Sequence, residues 1–194
     1  MRIAIALFDE VEELDFAGPW EVLTYWAREV APPGSSVVTV ASSLDPITAA
    51  KGLRVLPDET WTQLGAVDVL ILPGGWGTRA LMHDASTLEL LRAYAAAGTL
   101  MTSVCTGSLV YAAAGLLRNR PATTHWASLD LLAATDSSIE LRPDDRYVDS
   151  GNVITAAGVS AGIDMALYLV VRLDSVAAAR AVKRGIQYDP QPPV

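Results

Sequence analysis

One cysteine closes an apolar run in Ser103-Val104-Cys105-Thr106-Gly107-Ser108. The pattern predicts a strand over Leu100–Val104 that passes directly into a helix over Gly107–Leu117. A strand that bends into a helix without a loop, flanked by small residues, has the shape of a nucleophile elbow. The helix start supplies unpaired amides and the positive end of the helix dipole. Both favour thiolate, so the position predicts a Cys105 pKa below the free value of about 8.5. The competing use of such a residue is as a small buried hydrophobe.

Three other strand ends carry residues able to assist a thiol. Leu72-Pro73-Gly74-Gly75-Trp76-Gly77 follows the clearest strand, Val67–Leu72. Gly74 and Gly75 allow backbone amides to point outward, as an oxyanion hole requires. Gly75-Trp76-Gly77-Thr78-Arg79-Ala80 also matches the dinucleotide pattern G-x-G-x-x-A. That reading needs an acidic residue at the end of the next strand, where this chain has Cys105. Asp15, in Glu12-Glu13-Leu14-Asp15-Phe16-Ala17-Gly18-Pro19, reads as a helix cap or as a carboxylate bonded to the thiol. His125, in Thr123-Thr124-His125-Trp126, reads as a general base for Cys105 or as a satisfied histidine that orients a loop. Trp76 and Trp126 would then wall an apolar pocket. His83, beside Asp84, reads as solvated surface.

Alternating strands and helices must position these groups. Strands are expected over Ile3–Phe8, Val37–Val40, Val67–Leu72, Leu100–Val104 and Ala122–Thr124, with hairpins over Ile47–Val55 and Tyr147–Ala156. Helices are expected from Gly18-Pro19 to about Arg28, over Leu88–Ala97, Gly107–Leu117, Ala127–Ala134, Ala161–Arg172 and Val176–Lys183, with Pro19 in a first turn. This alternation implies an α/β fold: a parallel sheet covered on both faces, in a three-layer αβα sandwich. Ligands in such folds sit at the carboxyl ends of the strands. A proline-rich arm, about 189–194, is expected to be extended.

Composition narrows the function. With 194 residues the chain is expected to form one domain, residues 1–194. A net charge of -8 argues against nucleic acid as a partner. One cysteine excludes an internal disulfide, and two histidines exclude a histidine-rich metal site. No leader is visible, and Val110–Leu117 and Met165–Val171 are too short for a bilayer. The expected setting is a reducing cytoplasm, with no membrane partner.

Four separated motifs then agree in order: Leu-Asp-Phe-Ala-Gly-Pro (14–19), Leu-Pro-Gly-Gly (72–75), Ser-Val-Cys-Thr-Gly-Ser (103–108) and Ala-Thr-Thr-His-Trp-Ala (122–127). Together they resemble the DJ-1/PfpI superfamily. Cys-Thr-Gly-Ser-Leu-Val, Thr-Thr-His-Trp-Ala and Ala-Gly-Ile-Asp (161–164) look most like its isocyanide hydratases. The resemblance implies a flavodoxin-like sandwich with a mostly parallel central sheet, similar to class I glutamine amidotransferases, and a homodimer. It implies that Cys105 is the nucleophile and that Asp15 holds the acidic position touching it.

The implied activity is a hydro-lyase without metal or organic cofactor. It would hydrate an isonitrile to an N-formamide through a thioimidate on Cys105. The amides of Gly75 and Thr106 would steady the adduct, with Gly74, Trp76, His125 and Trp126 around the substrate. PfpI-type peptidases carry histidine after the cysteine, where this chain has Thr106, so a peptidase is not expected. The chain shows no helix-turn-helix, so a regulator of the AraC type is not expected either. Two alternatives share the thiol: a cofactor-free glyoxalase or deglycase acting on α-oxoaldehydes, and a non-catalytic redox sensor.

Overall fold

The computed structural model describes residues 1–191. Strand β1 (Arg2–Ala6) leads to helix α1 (Glu13–Tyr25), which runs on as a π-helical turn over Trp26–Val30. Then come β2 (Ser36–Ala41), β3 (Ile47–Thr48), β4 (Arg54–Val55), β5 (Glu59–Thr60) and α2 (Trp61–Leu64). The centre of the chain holds β6 (Val69–Leu72), α3 (Thr78–Leu81), α4 (Ala85–Ala96), β7 (Leu100–Val104) and α5 (Gly107–Ala113). Next follow β8 (Pro121–Ala122), a 3-10 turn (Trp126–Ser128), α6 (Leu129–Thr135) and β9 (Glu140–Leu141). The last elements are β10 (Tyr147–Asp149), β11 (Val153–Ala156), α7 (Ala161–Leu173) and α8 (Val176–Gly185).

Seven strands make the central sheet in the order β10-β11-β7-β6-β1-β2-β5. All neighbours are parallel except β10, which runs antiparallel to β11. β6 is apolar throughout, and β1 and β7 are buried along almost their whole length, because parallel strands are covered on both faces. Successive residues still divide between the faces. Ile3, Ile5, Val69 and Ile71 join one core with Phe16 and Leu23 of α1, Met165 and Leu169 of α7 and Val182 of α8. Ala4, Ala6, Leu70 and Leu72 join the other with Leu91 of α4, Leu109 of α5 and Leu132 of α6. The sheet is therefore the middle of three layers, as the alternation implied.

Several boundaries differ from expectation. The first helix begins at Glu13, not at Gly18, so Pro19 lies inside it. Proline removes the N–H that would bond the Asp15 carbonyl and disfavours a helix interior. Packing of α1 against α7 overrides that preference: Phe16, Val22 and Leu23 are buried in the same core as Met165 and Leu169. The helix starting at Ala85 gains a turn because Asp84 accepts hydrogen bonds from the Ser86 and Thr87 amides. The expected strand Ala122–Thr124 is only the bridge β8, which pairs with β9 outside the main sheet. Thr123 gives its N–H instead to the Thr155 hydroxyl (2.9 Å). The helix after Cys105 stops at Ala113, and its chain turns at Gly115 with φ +76°. Residues 189–191 of the expected arm have no regular structure, and 192–194 lie outside the described residues. Among the described residues no helix is long and apolar enough to cross a membrane.

Trp26 is fully buried where α1 passes into its π-helical turn, and its Nε1–H donates to Asp174 Oδ2 (3.0 Å) just beyond α7. Trp26→Phe is expected to lower the unfolding free energy by about 1–3 kcal/mol, by losing this bond and leaving a void. Urea denaturation of both proteins would measure it.

Candidate active site

Cys105 is the residue on which β7 turns into α5. Its backbone takes φ +56°, a left-handed conformation that costs a non-glycine residue about 1–3 kcal/mol. Hydrogen bonds on both sides hold it there. The Cys105 N–H is shared between the carbonyls of Ala156 (3.1 Å) and Ala157 (3.0 Å) at the end of β11. The Cys105 carbonyl accepts from the Thr124 hydroxyl (2.9 Å) and the Ser108 hydroxyl (3.0 Å). Cys105 is 7% exposed.

The glycine turn after β6 packs against this bend and against residues 9–12. Glu12 N–H donates to the Gly74 carbonyl (2.9 Å), and Val11 bridges to Gly75. A Cβ at Gly74 would lie 2.6 Å from the Thr106 nitrogen and 2.7 Å from Asp15 Oδ2. At Gly75 (φ +122°) a Cβ would collide with the Glu10 carbonyl, and at Gly77 with that of Asp9. These glycines serve the close approach of backbones. The helix that follows has only four residues, too short to present the N-terminal dipole that a pyrophosphate site uses. The dinucleotide reading therefore falls.

Asp15 sits in the first turn of α1 but does not cap it. Its side chain is 0% exposed and points to the glycine turn, where Oδ2 accepts the Gly74 N–H (2.9 Å). Oδ1 has no hydrogen-bond partner of ordinary length among the described residues. The Cys105 thiol and the Val159 amide are the groups beside the carboxyl, along with Gly74, that ease its charge. Burial is the larger effect. It raises the Asp15 pKa from 3.8 to about 7, with help from the charge of Glu12. Burial likewise pushes the Cys105 thiol up to about 12, and the Asp15 charge pushes it the same way. The expected depression of the thiol pKa is thus reversed. Amides of Thr106 and Val159 do favour the thiolate, yet a seven-residue helix start cannot offset desolvation.

The expected amide donors are redistributed too. Gly74 N–H is taken by Asp15, and Gly75 N–H by Thr106 Oγ1 (3.0 Å). Thr106 Oγ1 also donates to the Gly75 carbonyl (3.2 Å), as Thr78 Oγ1 does (2.7 Å). The amides left facing the thiol are those of Thr106 and Val159. Val159 lies after β11 with φ +52°. Sequence reading missed it, although a glycine directly before it at a strand end was a usable signal.

A pocket of about 250 Å³ opens above the thiol, lined by Glu12, Gly75, Trp76, Arg79, Thr106 and His125 among others. Trp76 is 71% exposed, with the Arg79 guanidinium 4.7 Å from its ring centre. Trp126 is 76% exposed and stands outside the pocket, its ring 5.4 Å from that of His125. His125 Nδ1 accepts the Ala127 N–H (3.3 Å), which leaves the proton on Nε2. The ring packs so closely on Gly158 that a Cβ there would collide with it. His125 therefore shares the pocket with Cys105 while its hydrogen bond serves the local turn. His83 is exposed. Among the described residues no cluster of three His, Cys, Asp or Glu side chains could hold a metal ion.

The profile of the DJ-1/PfpI family matches residues 1–172. The chain belongs to this family. It is 42% identical over 193 residues to an isonitrile hydratase of Pseudomonas putida, covering 100% of this chain and 81% of that one. It is 32% identical over 143 residues to a glutathione-independent glyoxalase of Caenorhabditis elegans, 73% of this chain and 75% of that one. The crystal structure of a ThiJ/PfpI family protein from Pseudomonas syringae superposes with a TM-score of 0.88 at 36% identity, covering 100% of this chain and 77% of that one. The flavodoxin-like sandwich with a mostly parallel sheet is the fold of this family.

Two predictions follow from the buried pair. Because the folded Asp15 pKa lies above its unfolded value of about 3.8, its contribution to stability is greatest below pH 4. That contribution is lost as pH rises through about 7. Asp15→Asn, which keeps an acceptor for the Gly74 amide, is expected to gain roughly 2–4 kcal/mol relative to the parent between pH 4 and pH 8. Urea midpoints at both pH values would read this. Gly74→Ala is expected to lose about 1–3 kcal/mol by overpacking, seen as a lower melting temperature.

Proposed function

We propose that the protein is a cysteine-dependent isonitrile hydratase, a hydro-lyase that converts an isocyanide to an N-formamide. The observation that carries this reading is the buried Asp15 carboxyl beside the Cys105 thiol, beneath a small pocket. The likeness to a named isonitrile hydratase across the whole chain supports it.

An isocyanide, R–N≡C, needs a nucleophile and a proton at the same carbon. In the singly protonated pair, one proton is shared between the thiol and Asp15. Asp15 holds it while the Cys105 sulfur forms a bond to the terminal carbon, then delivers it to that carbon. The result is a thioimidate, R–N=CH–S–Cys105, with Asp15 ionised. Asp15 next takes a proton from water as the hydroxyl adds to the carbon, and passes it to nitrogen. The adduct, R–NH–CH(OH)–S–Cys105, collapses: the C–S bond breaks, the hydroxyl proton returns to Asp15 and R–NH–CHO leaves. The Thr106 and Val159 amides steady charge at sulfur and on the adduct, where one such donor is worth ~3–4 kcal/mol in other enzymes. Thr106 Oγ1 holds the glycine turn that bonds Asp15. The proposal includes a reducing cytoplasm, in which a free thiol stays reduced, and the homodimer that the family resemblance implies.

Turnover of an aromatic isocyanide, with N-formamide detected by chromatography, tests the reading. Wild type should form the product, Cys105→Ala none, and Asp15→Asn about 10²–10⁴-fold less. The pair loses its first proton near pH 7, so kcat/KM should rise with pH through about 7. Formamide from Cys105→Ala would sink the nucleophile. The glyoxalase relative favours a second substrate for the same thiol, an α-oxoaldehyde held as a hemithioacetal. Consumption of methylglyoxal without any turnover of isocyanide would select that reading.

A further inference from the structure

The pocket above Cys105 contains one arginine that the hydration steps leave unused. Arg79, in α3, lines it together with Glu12, Trp76 and His125. The guanidinium rests on the Trp76 ring, and its Nη1 donates to the Gly75 carbonyl (3.2 Å) and to Thr78 Oγ1 (3.1 Å). These contacts hold the charge in place by one nitrogen. Among the described residues the other edge, Nε and Nη2, has no partner, and Arg79 makes no ion pair. Glu12, the carboxylate that lines the same pocket, is engaged by Lys51. Glu12 makes no ion pair with Arg79.

A planar edge with two parallel N–H donors matches a carboxylate bidentately. The pocket's 250 Å³ accommodates a small molecule spanning Arg79 and Cys105. We propose that Arg79 is the specificity-determining residue of this pocket and selects small isocyanides that carry a carboxylate. The reacting group rests on the hydratase reading above; the carboxylate rests only on the geometry of Arg79. In the reaction R–N≡C plus water gives R–NH–CHO, and the carboxylate on R is unchanged.

A size-matched pair of alkylating agents tests Arg79 without relying on hydration. Iodoacetate and iodoacetamide both modify the chain's one thiol and differ in charge. The ratio of their rates at Cys105 cancels any change in the reactivity of the thiol itself. Arg79→Gln should lower the iodoacetate-to-iodoacetamide ratio by about tenfold or more. Arg79→Lys, which restores charge without the planar edge, should recover part of it. A ratio that Arg79→Gln leaves unchanged overturns the proposal. In hydration, wild type should prefer isocyanoacetate to its methyl ester, and Arg79→Gln should lose that preference. Wild type that hydrates the ester as readily as the acid also overturns it. If neither isocyanide is hydrated, the hydratase reading fails, and the alkylation ratio still decides the role of Arg79.

Discussion

A carboxyl group closed off from water, with two amides and a thiol for neighbours, cannot carry its charge cheaply. Asp15 is in this position, and much of the surrounding structure depends on how the constraint is met. The Gly74 amide can reach Oδ2 only because neither Gly74 nor Gly75 carries a side chain where the turn after β6 meets residues 9–12 and the Cys105 bend. Thr106 pins that turn from the opposite side. The helix that bears Asp15 begins early enough to bury it, through a proline that would ordinarily oppose such a helix.

The same closure sets the chemistry. Desolvation outweighs the amides that face the sulfur, so the pair retains a proton near neutral pH. A buried acid that shares a proton with a nucleophile suits a reaction that needs attack and protonation at one carbon. It suits a freely exposed peroxide sensor less well, since reactivity toward oxidants follows thiolate character and exposure. The strained φ of Cys105 belongs to the same arrangement. Two hydroxyls on its carbonyl and two carbonyls on its amide hold the residue against its backbone preference.

Much of this was legible along the chain. Apolar runs ending in Pro-Gly-Gly and Cys-Thr-Gly located two strand ends, because buried parallel strands leave a continuous apolar signal; the strand expected before Thr-Thr-His is only the short β8, outside the main sheet. The lone cysteine and Asp15 stood out by type and place. Val159 did not, because its contribution is a backbone amide, which no side chain announces. Thr124 and Ser108 were visible only as neighbours of better candidates, although both hydroxyls hold the Cys105 carbonyl. The Gly75 amide was assigned to the substrate when it is bound by Thr106, a partner 31 positions away.

Local sequence alone determined the layer architecture, the place of the thiol and the glycine turn beside it, while Asp15 stayed open between a helix cap and a partner of the thiol. Periodicity, residue type and small flanking residues act over a few positions, and such information survives in one dimension. Tertiary structure decided where α1 starts, which amides remain free, that Trp126 stands outside the pocket while Arg79 lines it, and in which direction both pKa values move. Each of these is set by what other segments bring to the same few ångströms. Desolvation, above all, belongs to the closed assembly of β6, β7, α1 and the loop after β11, and to no one of them alone.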